Sequence, residues 1–450
     1  MRRAILLLLI LAATATAGLA APERPALLLE DIVWNGLGST PRSRADAALG
    51  LHVGDEVDQA ELVEAVTALR ELGPFQSVEF FTRPGSARGR IVLVLEVTEK
   101  EHVRSITANL GTGNSDNDGW YLIPVELGLR NVLDERDQLS ARFSLGYRFT
   151  ELSVGYRSLL GDGRAWWGAV AAVRGTDRYY VLDGLEVRHT VGRGALGLEA
   201  GRRFGSGWTW EGQLRRESAN AHDEAHYASG SEFRDVNEGE VIPTADLPPA
   251  IADDLERRGR TVLESMLTYR DVDAERVAFS PVHGSWARVI ARGVDDEING
   301  AFPFASLDLR AYRPAGGGVL AARWRGAVTT DDAPFYDRLY LGGLYTVRGV
   351  PSHGLTEPGG ASWLWNASLE YRAPLSGDRA RPGLAGALFV DLGQSGNAVE
   401  PEGRALAVGA GWGLRWRLFG IVMGADFAVP VTGSPVEELF HGSFGIGWSF

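Results

Sequence analysis

Two hydrophobic periods divide the chain. From about residue 103 onward apolar and polar residues alternate, the signature of strands with one face in each of two environments. The clearest stretch is 405–417, where Leu406, Val408, Ala410, Trp412, Leu414 and Trp416 share one face. Ala407, Gly409, Gly411, Gly413, Arg415 and Arg417 share the other. Leu307, Leu309 and Ala311 oppose Asp308 and Arg310 in the same way, and Trp363, Trp365, Ala367, Leu369 and Tyr371 oppose Asn366, Glu370 and Arg372. Apolar outside and charged inside, over segments near ten residues, is what a lipid-facing barrel with a wet lumen requires. About sixteen such segments follow one another, an even number as single-chain bacterial barrels need. They are expected to begin near Val103, Trp120, Gln138, Thr150, Arg164, Leu185, Gly207, Thr261, Gly284, Ala301, Gly317, Ala361, Gly383, Arg404, Gly420 and His441.

Residues 27–100 read differently. A short strand at 29–33 ends at the turn dipeptide Asn35-Gly36. Helical spacing covers 41–49 and 59–72, with Leu62, Val63, Val66 and Leu69 placed on one face before Gly73-Pro74 stops the second helix. Strands at 78–81 and 91–97 complete a β-α-α-β-β order, in which two helices cover a three-stranded sheet. The expected fold is therefore an all-β, 16-stranded antiparallel transmembrane barrel over 103–450, preceded by one small α/β domain at 27–100. Residues 1–20 read as a signal peptide. Arg2 and Arg3 precede an apolar run at 4–13, and cleavage fits after Ala20 or after Ala17. With the small domain in the periplasm, the tight connections (Gly205-Ser206, 314–318 and Leu418-Phe419) fall on the periplasmic side. The long ones (219–260 and 329–360) then fall outside.

Composition changes this picture little. The chain has no cysteine, which removes disulfides, thiolate metal sites and cysteine nucleophiles. A mean hydropathy of −0.09 fits a barrel, whose alternating strands hide from averages. The 57 glycines and 13 tryptophans, against 3 methionines, favour strands over a helical enzyme. Aromatics gather near expected strand ends, at Trp166-Trp167, Tyr179-Tyr180 and Trp363, as interfacial girdles do. A net charge of −13 argues against a nucleic-acid partner.

Several motifs resemble a known family. In the small domain, Leu69, Gly73, Phe75 and Val78, followed by the 94–99 strand, resemble the conserved run of a POTRA domain. In the barrel, 341–350 (Gly342, Gly343, Val347, Arg348, Gly349 and Val350 among them) resembles the VRGF/Y motif of the BamA/TamA superfamily. Val350 stands where an aromatic is usual. The strand count places this segment between strands eleven and twelve, the connection that in the family folds back into the barrel. Phe389, Asp391 and Gly393 resemble the family's F-x-D-x-G strand. Phe444, Ile446, Trp448 and Phe450 lie on one face, and the final Phe450 resembles the terminal aromatic signal of outer-membrane barrels.

The resemblance implies an outer-membrane assembly, insertion or translocation factor working on unfolded or extended client proteins. Outer-membrane lipids and accessory periplasmic or outer-membrane proteins are its other implied partners. It also implies a loop–lumen lock: Arg348, next to Gly349, meets Asp391, which alternation places on the lumen face opposite Leu388, Val390 and Leu392. A lateral seam between first and last strands would involve Ser105, Thr107 and Asn109 on one side and Gly442, Gly445 and Gly447 on the other. Two other classes stay open. A two-partner-secretion-like transporter would carry two POTRA domains, and a passive pore would need a lumen free of the Arg348 loop. An enzyme is not expected. His222, His226 and His441 are scattered, no Gly-x-Ser-x-Gly motif is present, no nucleophile–base–orienter spacing is visible, and no cofactor or metal is implied.

Overall fold

The computed structural model describes residues 27–450 apart from 39, 41, 72–74, 100–104, 116–118, 131, 133–135, 229–235, 273–280, 378–381, 399–402, 419–420, 433–439 and 449; for 44, 71 and 105–115 it describes the backbone alone. The segment 1–20, expected to be a signal peptide, lies outside the described residues.

The N-terminal unit runs β1 (Leu27–Asn35), α1 (Arg42–Leu49), β2 (Glu56–Val57), α2 (Gln59–Glu71), β3 (Phe75–Pro84) and β4 (Arg90–Glu99). The sheet has four strands, not three, in the order β2-β1-β4-β3, because the two-residue β2 pairs with the start of β1. Asp58 starts α2 as a capping box. Its carboxylate accepts from the N–H groups of Ala60 and Glu61, while Glu61 accepts from the N–H of Asp58. The buried stripe of α2 is Leu62, Ala65, Val66 and Leu69; Val63 faces solvent, since a one-residue step turns the chain about 100° away from Leu62. Strand β3 pairs only with β4 and is an open edge of the sheet.

The barrel begins with β5 (Ser105–Ser115), β6 (Gly119–Arg130), β7 (Asp137–Gly146), β8 (Phe149–Leu160), β9 (Ala165–Leu182), β10 (Leu185–Phe204) and β11 (Trp208–Tyr227). A two-residue β12 (Val241–Ile242) and helix α3 (Pro249–Ala252) follow. The wall then continues with β13 (Arg258–Val272), β14 (Gly284–Asp296), β15 (Gly300–Ala315), β16 (Gly318–Val328), β17 (Trp363–Gly377), β18 (Pro382–Gly396), β19 (Ala407–Leu418), β20 (Ile421–Thr432) and β21 (His441–Ile446). Setting aside β12, sixteen antiparallel wall strands close into a barrel. Each starts within three residues of its expected position. No helix among the described residues is long and apolar enough to cross a membrane.

Alternation along β19 has the expected sense. Trp412 is exposed on the outer face, whereas Ala407, Gly409, Gly413 and Arg415 are buried. Two short connections, at 205–207 and 316–317, leave one end of the barrel. The 228–257 and 329–362 connections leave the other, since each follows an odd-numbered wall strand. The first long connection is shorter than the sequence suggested. Strand β11 continues to Tyr227 because small residues (Ala219, Ala221 and Ala225) pack inward while the polar His222, Asp223 and Glu224 face out. The pattern is still a strand, although its charges resemble a loop.

Candidate functional site in the barrel lumen

Three inward-facing carboxylates prepare a site for a cation. Asp391 projects from β18, Glu370 from the neighbouring β17, and Asp426 from β20, all buried. Ser368 lies directly across the ladder from Asp391. The 329–362 connection brings Arg348 among them. Leu339 and Ala361 pair at its base, and its interior packs Leu341, Val347, Val350 and Leu355 against Leu364 and Ala407 of the wall. Val350 is therefore core, where an aromatic was the family norm.

Backbone space decides how closely this segment can lie. Gly349 has φ +95°, and a β-carbon there would come 2.9 Å from the Val429 carbonyl oxygen. On the wall, a β-carbon at Gly409 would come 1.9 Å from the Arg348 carbonyl oxygen, so only glycine lets the two backbones meet. Gly393 lies against Val347 and Leu341. Gly342 and Gly343 form the turn that precedes, where the Thr346 hydroxyl accepts from the Gly342 N–H at 2.9 Å.

The guanidinium of Arg348 is fully engaged. Its Nε donates to Asp391 Oδ2 at 2.7 Å and its Nη2 to Asp391 Oδ1 at 3.0 Å, a bidentate fork. Its backbone N–H reaches the same carboxylate at 3.1 Å. Nη1 donates to Glu370 at 2.9 Å and to Asp426 at 3.4 Å, and the group lies 3.3 Å from the centre of the Phe389 ring. Two further arginines balance the acids: Arg372 donates to Glu370 at 2.8 Å, and Arg415 to Asp426 at 2.7 and 2.8 Å. Three cations thus face three anions in a desolvated cluster. Removing one member leaves a buried charge uncompensated, at a cost of about 3–5 kcal/mol.

Residues 131–450 match the Omp85 superfamily domain. The chain belongs to the Omp85 superfamily. Its structure is similar to BamA from Haemophilus ducreyi lacking POTRA domains 1–3, at 16% identity and a TM-score of 0.57, covering 93% of this chain and 84% of that one. It is also similar to CdiB from Acinetobacter baumannii, at 14% identity and a TM-score of 0.50, covering 94% and 74%. At these identities the likeness is one of fold. No curated protein matches the sequence significantly.

A second anchor holds the same connection of this Omp85 barrel on the opposite wall. Asp337 accepts from Arg193 of β10 at 3.0 Å and from Arg260 of β13. Arg178 and Arg193 donate to the Tyr336 carbonyl oxygen at 2.9 and 3.2 Å, and Arg258 and Arg260 flank the Tyr336 ring. Burial acts to raise the pKa of Asp337, but Arg260 and Arg193 outweigh it and hold the carboxyl well below its ordinary value. A third contact of the connection with the wall is His353. Its Nδ1 donates to the Tyr179 carbonyl at 2.6 Å, which leaves Nε2 to accept from Arg148 at 2.8 Å. Burial first, then Arg148 and Arg178, push its pKa well below 6.5.

The strands at the closure differ from the sequence reading in one respect. Ser105, Thr107 and Asn109 lie in β5, with backbones paired to Arg130, Gly128 and Glu126; their side chains lie outside the described residues. Gly442 and Gly445 lie in β21, and Gly445 packs against Leu344 of the inserted connection. Strand β21 ends at Ile446, and Gly447 follows with φ +80°. Phe444 alone of the expected aromatic face points outward, at 51% exposure, while Ile446, Trp448 and Phe450 are buried. The left-handed Gly447 breaks the alternation and turns the chain into the lumen.

Glu370, Ser368 and Asp426 were missed as Arg348 partners. Alternation assigns such residues to the lumen face but not to a height within it, which only the ladder register supplies. The Tyr336–Asp337 anchor had no motif at all. His222 and His226 lie on β11 and His441 begins β21, and no metal-holding cluster occurs among the described residues.

Proposed function

We propose that this Omp85 barrel inserts or translocates client polypeptides at the outer membrane, through the seam between β5 and β21. The observation that carries the reading is an imbalance of strand length. Strand β21 has six residues and its ladder partner β20 has twelve, so the last strand offers few hydrogen bonds to hold the closure. Meanwhile the Arg348 connection occupies the lumen, which weighs against a passive pore. The N-terminal unit is read as a single POTRA-like domain on the periplasmic side. Its open β3 edge would receive an extended client by strand addition. The Haemophilus BamA match supports this, since 93% coverage extends beyond 103–450 into that unit. Arg348, Gly349 and Asp391 act as the loop–lumen lock that keeps the barrel a rigid frame beside the seam. Client folding supplies the driving force, with outer-membrane lipids and accessory outer-membrane or periplasmic proteins as partners.

The absence of native cysteine makes the test clean. Single cysteines placed along 105–115 and 441–446 are oxidised in pairs, and the pair that crosslinks defines the seam. Sealing it should deplete other outer-membrane barrels, with recovery on reduction. Normal barrel levels in the sealed form would overturn the seam reading. Loss of one secreted client alone would instead favour a dedicated two-partner-secretion-like transporter, the class suggested by the CdiB-like fold.

A further inference from the structure

The residues beyond the last strand do not simply end the wall. After Gly447 turns inward, Trp448 packs on Ala385 and Ala387 of β18 with Val422 of β20 alongside. Phe450 reaches farther, to Tyr312, Val319 and Ala321 on β15 and β16. The segment therefore crosses the lumen from the sixteenth wall strand to the tenth and eleventh. Along its path it meets two of the three arginines of the lock cluster. The Arg372 guanidinium lies 4.3 Å from the Trp448 ring centre and 4.9 Å from that of Phe450, and donates to the Phe450 backbone oxygen at 3.0 Å. The Arg415 guanidinium lies 4.9 Å from the Trp448 ring.

We propose that Gly447, Trp448 and Phe450 form a strap that couples the seam to the loop lock. Arg372 and Arg415 each have two jobs. One side of each guanidinium neutralises a carboxylate that also binds Arg348, Glu370 in one case and Asp426 in the other. The other side is held by the strap through cation–π contact and, for Arg372, a hydrogen bond. Displacing β21 pulls Trp448 out, because only the left-handed Gly447 separates it from the strand, and Phe450 follows it. Both arginines then lose a fixed face and shift, and the carboxylates around Arg348 lose their preorganised partners. Linkage makes the effect reciprocal: releasing Arg348 must loosen the strap and the last strand by the same factor.

This inference rests on β21 being the movable side of the seam, but its test needs no client and no insertion activity. A single cysteine at Val347, which is fully buried beside Arg348, reports loop release by its rate of reaction with a membrane-impermeant maleimide in purified, folded barrel. Trp448→Ala/Phe450→Ala should raise that rate about tenfold, within the range usual for coupled sites. Arg348→Ala serves as the positive control. A strap variant that keeps the slow rate, while the control labels fast, overturns the coupling even if the insertion reading stands. Should the strap variant not fold, the reciprocal measurement decides. Arg348→Lys is expected to speed amide exchange in 441–446 several-fold, and unchanged exchange there overturns the proposal.

Discussion

The inserted connection is held at two places by the same forces with the signs reversed. At Arg348 the connection supplies the cation and the wall supplies three carboxylates. At Asp337 it supplies the anion and the wall supplies Arg193 and Arg260. The first anchor grips β17, β18 and β20, near the closure; the second grips β10 and β13, on the far side of the barrel. The difference lies in redundancy. Arg348 is shared among three wall carboxylates, two of which Arg372 and Arg415 also hold, whereas Asp337 shares its two arginines with a single wall carboxylate, Glu217. A bracing element fixed at both walls ties them together across the lumen.

The sharpest way to break this comparison is a charge swap. If Arg348 and Asp391 were an isolated pair, Arg348→Asp/Asp391→Arg would restore stability. The cluster predicts the opposite, because an aspartate at 348 would meet Glu370 and Asp426; a loss of about 5 kcal/mol or more is expected in urea unfolding of the detergent-solubilised barrel. Arg348→Ala should cost less, about 3–5 kcal/mol, and recovery of wild-type stability by the swap would refute the cluster. At the other wall, Asp337→Asn keeps shape and an acceptor oxygen, so about 1–3 kcal/mol is expected by the same assay. A cost equal to that of Arg348→Ala would erase the proposed asymmetry.

Acidification gives the smallest effect and separates the anchors further. His353 is held neutral in the fold, so the unfolded chain binds more protons just below pH 6.5. The stability it contributes is complete above that value and falls as pH drops, by at most about 1.4 kcal/mol per unit. Asp337, depressed by its arginines, contributes fully above its ordinary pKa and loses this only in stronger acid. Between pH 7 and 5 the wild type should therefore soften, and His353→Gln should flatten that slope. An unchanged slope in the variant would remove His353 from the account.

Most of the barrel was legible in the sequence because a lipid face and a lumen face impose period two on every wall strand. The same rule placed Asp391 inside and located the Arg348 segment between the eleventh and twelfth strands. It failed where the chain leaves the wall. Nothing in the period of Phe444, Ile446, Trp448 and Phe450 shows that Gly447 adopts a left-handed conformation. Likewise, Tyr336 and Asp337 sit in an aperiodic connection whose partners lie on strands distant in sequence. The small domain's extra strand β2 escaped notice because two residues carry no period.

The partners of Arg348 also show how one residue organises the closing quarter of the wall. They stand 20, 22, 43 and 78 residues away in sequence, at Ser368, Glu370, Asp391 and Asp426. Loop-closure entropy grows slowly with separation, so the widest of these loops costs only about 1 kcal/mol more to close than the narrowest. A single side chain thereby does for β17, β18 and β20 what a crosslink would do, tying three staves to one point from inside the barrel.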